Sequence, residues 1–388
     1  MKWQWWSQHA ERWSEELRDE AREHIDTGIN LRLIVLAVAA VVVAVVALGV
    51  YWSREPAPFD VAASVNIVLH EPIDRPVAGA VTTATLTRIV AVMLDKPGGF
   101  INNDIAPPGV WLDDMPSWER GVLLQSRDMV RALRDDFGRA AVDAQPDDDL
   151  ARAEPRLNFS EHSWMLPSSE SQYRDARDYL RSYLSRLQNQ DDSPAQFIAS
   201  PANLDHYLER VTQRLDVIVQ QLSACVAPSD NPLLQWSAAD MPQRAISPSN
   251  KIDNVFYEAR GSAWALLHLL RALDADFAGV LRERNARPAL LEAIRALDAT
   301  QDRIYSPVIL NGSGFGLVAN HSLVMASYMA RADAAVATVR RLLLASAPES
   351  ARASDVQAES MDSSMQNNVE KSKNSEEDAG VKVLMKTE

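Results

Sequence analysis

A single cysteine, Cys225, in 388 residues excludes any internal disulfide, so the fold has to rest on its apolar core. Cys225 ends the apolar helical pattern at Leu222, which marks it as a small buried residue. Metal-binding patterns are missing too. The seven histidines (His9, His24, His70, His162, His206, His268 and His321) form no helical pair, and no HExxH, CxxC or carboxylate-rich calcium loop occurs. No metal or other cofactor is expected, and His206 and His268, on otherwise apolar helices, read as core or edge histidines. No GxSxG nucleophile turn is present. Asn311 to Gly316 (NGSGFG) fits neither the dinucleotide fingerprint nor the phosphate-loop spacing, so a turn is expected there. Lysine is scarce, with 7 against 32 arginines. Lys96, in a turn, and Lys251, in a helix's first turn, are the only two lysines between residue 53 and the tail, and solvated positions are expected for both. A basic surplus is lacking as well. The net charge of −14 argues against nucleic acid, whose phosphates need basic patches, and against wide contact with anionic lipid.

One feature is present in excess. Leu33 to Trp52 is a run of 20 residues without a charge, nearly all Val, Ala and Leu. At 1.5 Å per residue it spans about 30 Å, the hydrocarbon thickness of a bilayer. The run predicts a transmembrane helix over 31–52, in contact with the lipid bilayer, because a helix satisfies its backbone internally there. It is longer than a signal-peptide core and follows some 32 residues of chain, so an uncleaved anchor is the better reading, although Ala47 and Gly49 offer a small-x-small cleavage site. Arg18, Arg22 and Arg32 precede the run and only Arg54 closely follows it, which places the N-terminus in the cytoplasm and the remainder outside. Tyr51 and Trp52 suit an interfacial aromatic belt. Residues 1–30 form a cytoplasmic stub in which Trp6, Ala10, Trp13 and Leu17 recur at helical spacing, as in an amphipathic helix resting at the interface.

Beyond the run, 53–62 reads as a linker, with Pro56 and Pro58 opposing helix. Asn66 to Leu69 suggests a short extended piece. Helical periodicity then dominates. Thr82 or Thr83 is placed to cap a helix through Met93, which stops at Lys96-Pro-Gly-Gly99. Pro116 opens a helix carrying Trp118, Val122, Met129, Leu133 and Phe137, and Gln145 to Glu154 reads as an acidic break. Ser169 and Gln172 have capping-box spacing before the stripe Tyr173 to Leu187. Ser200-Pro201 caps the next helix, Asn250 with Asp253 starts another, and further helices are expected at Pro288–Leu297 and about Leu317–Leu344. Tyr305 to Leu310 is the best strand pattern. The fold expected is all-α: one transmembrane helix, then a multi-helix periplasmic bundle over 63–345, as one core or two lobes meeting near 191–200. Residues 346–388 carry no aromatic residue and are acidic and polar, the composition of a disordered tail.

The loops carry a resemblance. Leu94-Asp-Lys-Pro-Gly-Gly-Phe-Ile-Asn-Asn-Asp-Ile105, Pro107-Pro-Gly109, Met115-Pro-Ser-Trp-Glu119, Asn158-Phe-Ser160 and Ser163-Trp-Met-Leu-Pro-Ser-Ser-Glu-Ser171 resemble, in order, a family of Gram-negative envelope proteins known as domain of unknown function 2333. The resemblance implies a bacterial inner-membrane setting. It carries no activity, cofactor or catalytic residue with it.

Two functional classes follow from the residues. A structural or partner-binding envelope protein would use the long loops Lys96–Trp118 and Asn158–Glu170, where Trp111, Trp118, Trp164, Asn102 and Asp104 are the candidate contacts for an envelope protein or cell-wall partner. The alternative is a lysozyme-like, peptidoglycan-cleaving enzyme. Glu170-Ser171, opening a helix, is similar to the Glu-Ser pair of lytic transglycosylases, which would make Glu170 the general acid. The Gly-Leu-Met-Gln phrase of those enzymes is missing.

Overall fold

The computed structural model describes residues 31–139, 145–189, 195–224, 252–303, 309–310 and 320–345. The stub 1–30, Cys225, Asn250, Lys251, Tyr305–Val308, Asn311–Gly316, the proposed seam at Asp191–Pro194 and the tail 346–388 lie outside them.

Among the described residues the chain forms eleven α-helices and no strand: α1 (Leu31–Trp52), α2 (Ser64–Leu69), α3 (Ala80–Asp95), α4 (Asp114–Ala132), α5 (Asp148–Leu157), α6 (Ser169–Asn189), α7 (Pro201–Ala224), α8 (Ile252–Asp276), α9 (Ala278–Glu283), α10 (Arg287–Ala299) and α11 (His321–Leu344). The expected all-α fold is found. From α1, Ile34–Trp52 is long and apolar enough to cross a membrane.

The centre of the domain is α8. Every residue from Ala259 to Leu270 is buried, because apolar side chains occur all round this stretch rather than along one stripe. Helices α4, α3, α10, α11 and α7 pack around it. The α4–α8 crossing is unusually close. A Cβ on Gly261 would fall inside the Trp118 carbonyl, and one on Gly121 inside the Glu258 carbonyl, so glycine at both positions lets the two backbones meet. One apolar cluster draws on α3 to α11, from Leu86 and Trp118 through Tyr173, Leu208 and Trp264 to Val336.

Four local expectations are corrected. Ser64–Leu69 is helix, not an extended piece, and it buries Val65 and Val68 on a small second cluster with Ala80 and Ala84. Helix α3 starts at Ala80, ahead of Thr82 and Thr83, and its exposed N–H groups are met from another helix: Asp276 Oδ2 accepts from Thr82 N at 2.7 Å. Gln145–Glu154 is not a break, since Asp147 caps α5 by accepting from Asp149 N at 2.9 Å, and Arg186 grips both acids. The first turn of α6 is met by Ser168, whose Oγ accepts from Ser171 N at 3.3 Å, while Ser169 turns inward to donate to the Ser160 carbonyl at 2.7 Å. The Ser200 cap is found as expected, accepting from Asn203 N at 3.1 Å.

The α4–α8 contact yields a direct expectation. Gly261→Ala forces the two helices apart and lowers stability by about 1–3 kcal/mol, the usual cost of overpacking. Urea unfolding followed by tryptophan fluorescence reads this, and an unchanged midpoint would refute it.

Candidate functional site

The long loop after α3 is organised by one buried ion pair. Met115, Trp118, Glu119 and Val122 lie on the inward face of α4, so Glu119 is carried into the core and is fully buried. An isolated carboxylate there would cost several kcal/mol, and the chain surrounds it with partners. Lys96 Nζ lies 2.5 Å from Oε1, and the N–H groups of Ile101 and Asn102 donate at 2.8 and 2.9 Å. Lys96 also donates to the Gly99 carbonyl. Burial pushes the Glu119 carboxyl up, to about 7, while the ammonium and the two N–H donors pull the other way. The solvated position expected for Lys96 is therefore corrected: its side chain is only 1% exposed. The turn residues Pro97-Gly-Gly99 carry no local sign of a partner 23 positions further along the chain.

This loop is the seat of α1. A Cβ on Gly98 would stand 2.8 Å from the Trp52 indole, so the ring rests directly on the glycine. One on Gly49 would be 3.5 Å from Pro108 Cβ and 4.0 Å from Leu112. Between Ile34 and Trp52 only Val45, Gly49 and Trp52 lose substantial exposure. Their i, i+4, i+7 spacing is a single helix face turned toward the domain.

The residues after α1 are bound, not slack. Glu55 Oε2 accepts from Arg260 Nε at 2.6 Å, and Arg260 also donates to the carbonyls of Thr300, Gln301 and Asp302 at 2.7, 3.1 and 2.9 Å, just past α10. Phe59 N–H donates to His268 Nε2 at 2.9 Å, and the two rings stack with centroids 3.9 Å apart. The other nitrogen, Nδ1, lies 2.6 Å from the Trp264 carbonyl, which assigns the proton to Nδ1 and leaves Nε2 as the acceptor. Burial lowers the imidazole pKa to about 4. His268 is thus a satisfied core histidine, as expected, while His206 sits at the edge near Asp136. Arg88 lies 4.2 Å from the centroid of the Phe59 ring.

The structure separates the sequence candidates. Trp118 is not an exposed contact: it is completely buried, 5.2 Å from Trp264 between ring centroids, because the close α4–α8 crossing encloses it. Trp111 and Trp164 are 68% and 53% exposed. Asn102 and Asp104 line a shallow cleft of about 380 Å³ with Arg120, Glu161 and His162. Burial, then the charge of Glu170, raises the Asp104 carboxyl. Glu170 is in the first turn of α6 and is not part of the cleft lining; its Oε2 accepts from Asn103 Nδ2 at 2.8 Å. Asn103 also donates to the Ser163 carbonyl at 2.8 Å, joining the two long loops. Sequence reasoning missed Asn103, Glu119 and Arg260. The one visible signal was an acid, Glu119, on an apolar helical stripe.

Two outcomes follow. Lys96→Met strands the buried Glu119 charge and lowers stability by about 3–5 kcal/mol, whereas the double variant Lys96→Met/Glu119→Leu loses clearly less. Chemical unfolding of both proteins checks this, and equal losses would contradict the pairing. His268 takes a proton more readily unfolded (6.5) than folded (about 4), so its contribution is complete above pH 6.5 and falls away toward pH 4. The loss is about 3 kcal/mol, from 1.36 kcal/mol per pH unit. His268→Gln flattens this part of the stability–pH curve; an unaltered slope would show that His268 does not cause it.

No curated protein and no solved structure matches the chain. A family model described as an uncharacterized protein conserved in bacteria matches residues 25–346, so its span includes α1 as well as the helices that receive it. The chain belongs to this bacterial family, domain of unknown function 2333.

Proposed function

We propose that this chain is a single-pass inner-membrane protein whose helical domain stands on the periplasmic side as a structural or partner-binding element of the envelope. In this reading residues 1–30 are cytoplasmic, α1 spans the bilayer, 63–345 form the periplasmic domain and 346–388 trail as an acidic tail. The arginines before α1 support the orientation. The observation that carries the reading is the unbroken attachment of the domain to its anchor, from Val45 through Trp52 and Glu55 to Phe59. An enzyme working on a spread-out substrate gains reach from a loose tether. A tether clamped to the domain instead holds one face of it at a set height and orientation, which suits contact with a fixed neighbour. The exposed Trp164-Met165-Leu166 stretch, beside the cleft, is the surface offered to an envelope protein.

No observation favours the peptidoglycan-cleaving alternative. Glu170 is engaged by Asn103, outside the cleft lining, in the helix turn where an acid complements the macrodipole.

The test uses the full chain in intact cells with Cys225 replaced by Ser. A cysteine at Arg295, a well-exposed position on α10, should react with an impermeant maleimide, and one at Ser7 only after the inner membrane is opened. The reverse pattern would overturn the orientation. Cross-linking in those cells should recover a defined envelope protein, at least fivefold less of it with Trp164→Ser/Leu166→Ser. Recovery of only background proteins, or muropeptide release that Glu170→Gln abolishes, would overturn the binding role.

A further inference from the structure

We propose that the loop Ile105–Leu112 is a second membrane contact, with Ile105, Val110 and Trp111 inserted at the headgroup–acyl boundary beside the outer end of α1. The inference rests on the reading of α1 as a membrane span and adds a lipid-binding surface to it.

The length of α1 sets the constraint. The apolar part of α1, Ile34–Trp52, has 19 residues. At 1.5 Å each that is about 28 Å, no more than a hydrocarbon core requires. The helix has no spare turn with which to lift the domain clear of the lipid. Yet Gly49, three residues inside the end of α1, is buried against Pro108 and Leu112. That contact lies about 4.5 Å below the level of Trp52. Half-buried Val45, four residues deeper, extends the shielded face by a further turn. For α1 to span and remain seated, the loop has to descend into the interface.

The loop's side chains fit that position. Ile105, Val110 and Trp111 are 63%, 51% and 68% exposed, so three large apolar groups project from one short loop. Tryptophan is favoured at membrane interfaces, and amphipathic segments settle about 5–10 Å into this boundary. The loop backbone is closed on itself there: Val110 N donates to Ala106 O, Trp111 N to Pro108 O and Leu112 N to Gly109 O, at 3.2, 3.0 and 2.9 Å. Three donors that would be costly to desolvate are thereby satisfied. The charges flanking the loop, Asp104, Asp113 and Asp114, are acidic. Insertion is therefore driven by apolar burial and needs no anionic lipid.

The experiment uses the full chain with Cys225→Ser, reconstituted in phosphatidylcholine vesicles that contain nitroxide lipids. An environment-sensitive fluorophore is placed on cysteine at Val110, at Val41 in the middle of α1, or at Arg295 on α10. The Val41 label should be quenched by the deep nitroxide. The Val110 label should be quenched by the shallow nitroxide and at least fivefold less by aqueous iodide than the Arg295 label. Iodide quenching of Val110 equal to that of Arg295, with Val41 still quenched by lipid, would overturn the second contact and leave the span intact. A Val41 label untouched by lipid nitroxide would overturn the span and the loop contact together.

Discussion

The attachment of α1 to the domain depends on the buried pair Lys96–Glu119. Neither side chain reaches water, so each is held by the other and by the backbone that folds over them. Glu119 fixes the amides of Ile101 and Asn102, and Lys96 fixes the carbonyl of Gly99. Gly98, between Lys96 and the Gly99 carbonyl it holds, is the surface on which Trp52 rests. An apolar pair of equal volume would fill the space at less risk, but it would leave three loop backbone groups without partners. What the charges contribute is the shape of the loop. They position the seat, and the seat positions the helix.

Three further contacts extend this single point into a line. Arg260 satisfies three carbonyls beyond the end of α10 and still reaches Glu55, so one cation ties the segment after α1 to two parts of the domain. His268 takes the Phe59 N–H and stacks on its ring. Both groups come from α8, the most deeply buried helix, which moves only with the core itself. Force applied to α1 is therefore transmitted to the centre of the fold, not absorbed in a flexible leash.

Helices whose burial follows their own periodicity were legible in the sequence: the stripes of α6 and α7, the Ser200 cap and the apolar run of α1 all announce themselves within a few residues. What was hidden depends on distant partners. Lys96 looked like a turn residue because Glu119 lies on another helix. Thr82 looked like a cap because Asp276, which performs that task for α3, is 194 positions away. Residues 53–62 looked like a linker because their prolines forbid helix, and no local pattern shows that Glu55 and Phe59 have partners on α8. Trp118 looked like an interface residue because the glycines that let α4 and α8 close over it, Gly121 and Gly261, are 140 positions apart. Periodicity reports which face of a helix is buried; it is silent on how close the next helix comes.

The same distinction bears on the site. Exposed tryptophans in long loops have one signature in sequence and two physical meanings, since a ring can face a partner protein or the lipid beside its own anchor. Trp111 and Trp164 are alike in chemistry and nearly alike in exposure. They differ in neighbours: Pro108 and Leu112, in the loop of Trp111, touch Gly49 within the apolar part of α1, whereas Ser163, beside Trp164, accepts from Asn103. The polar cleft is lined from both loops, by Gly109, Val110 and Leu112 as well as Glu161 and His162. In the proposed orientation, a tryptophan beside α1 has its apolar solvent already supplied. One away from such a helix does not, and burial of that ring calls for a second macromolecule. Contact with α1 is therefore what distinguishes the two loops in the proposed orientation.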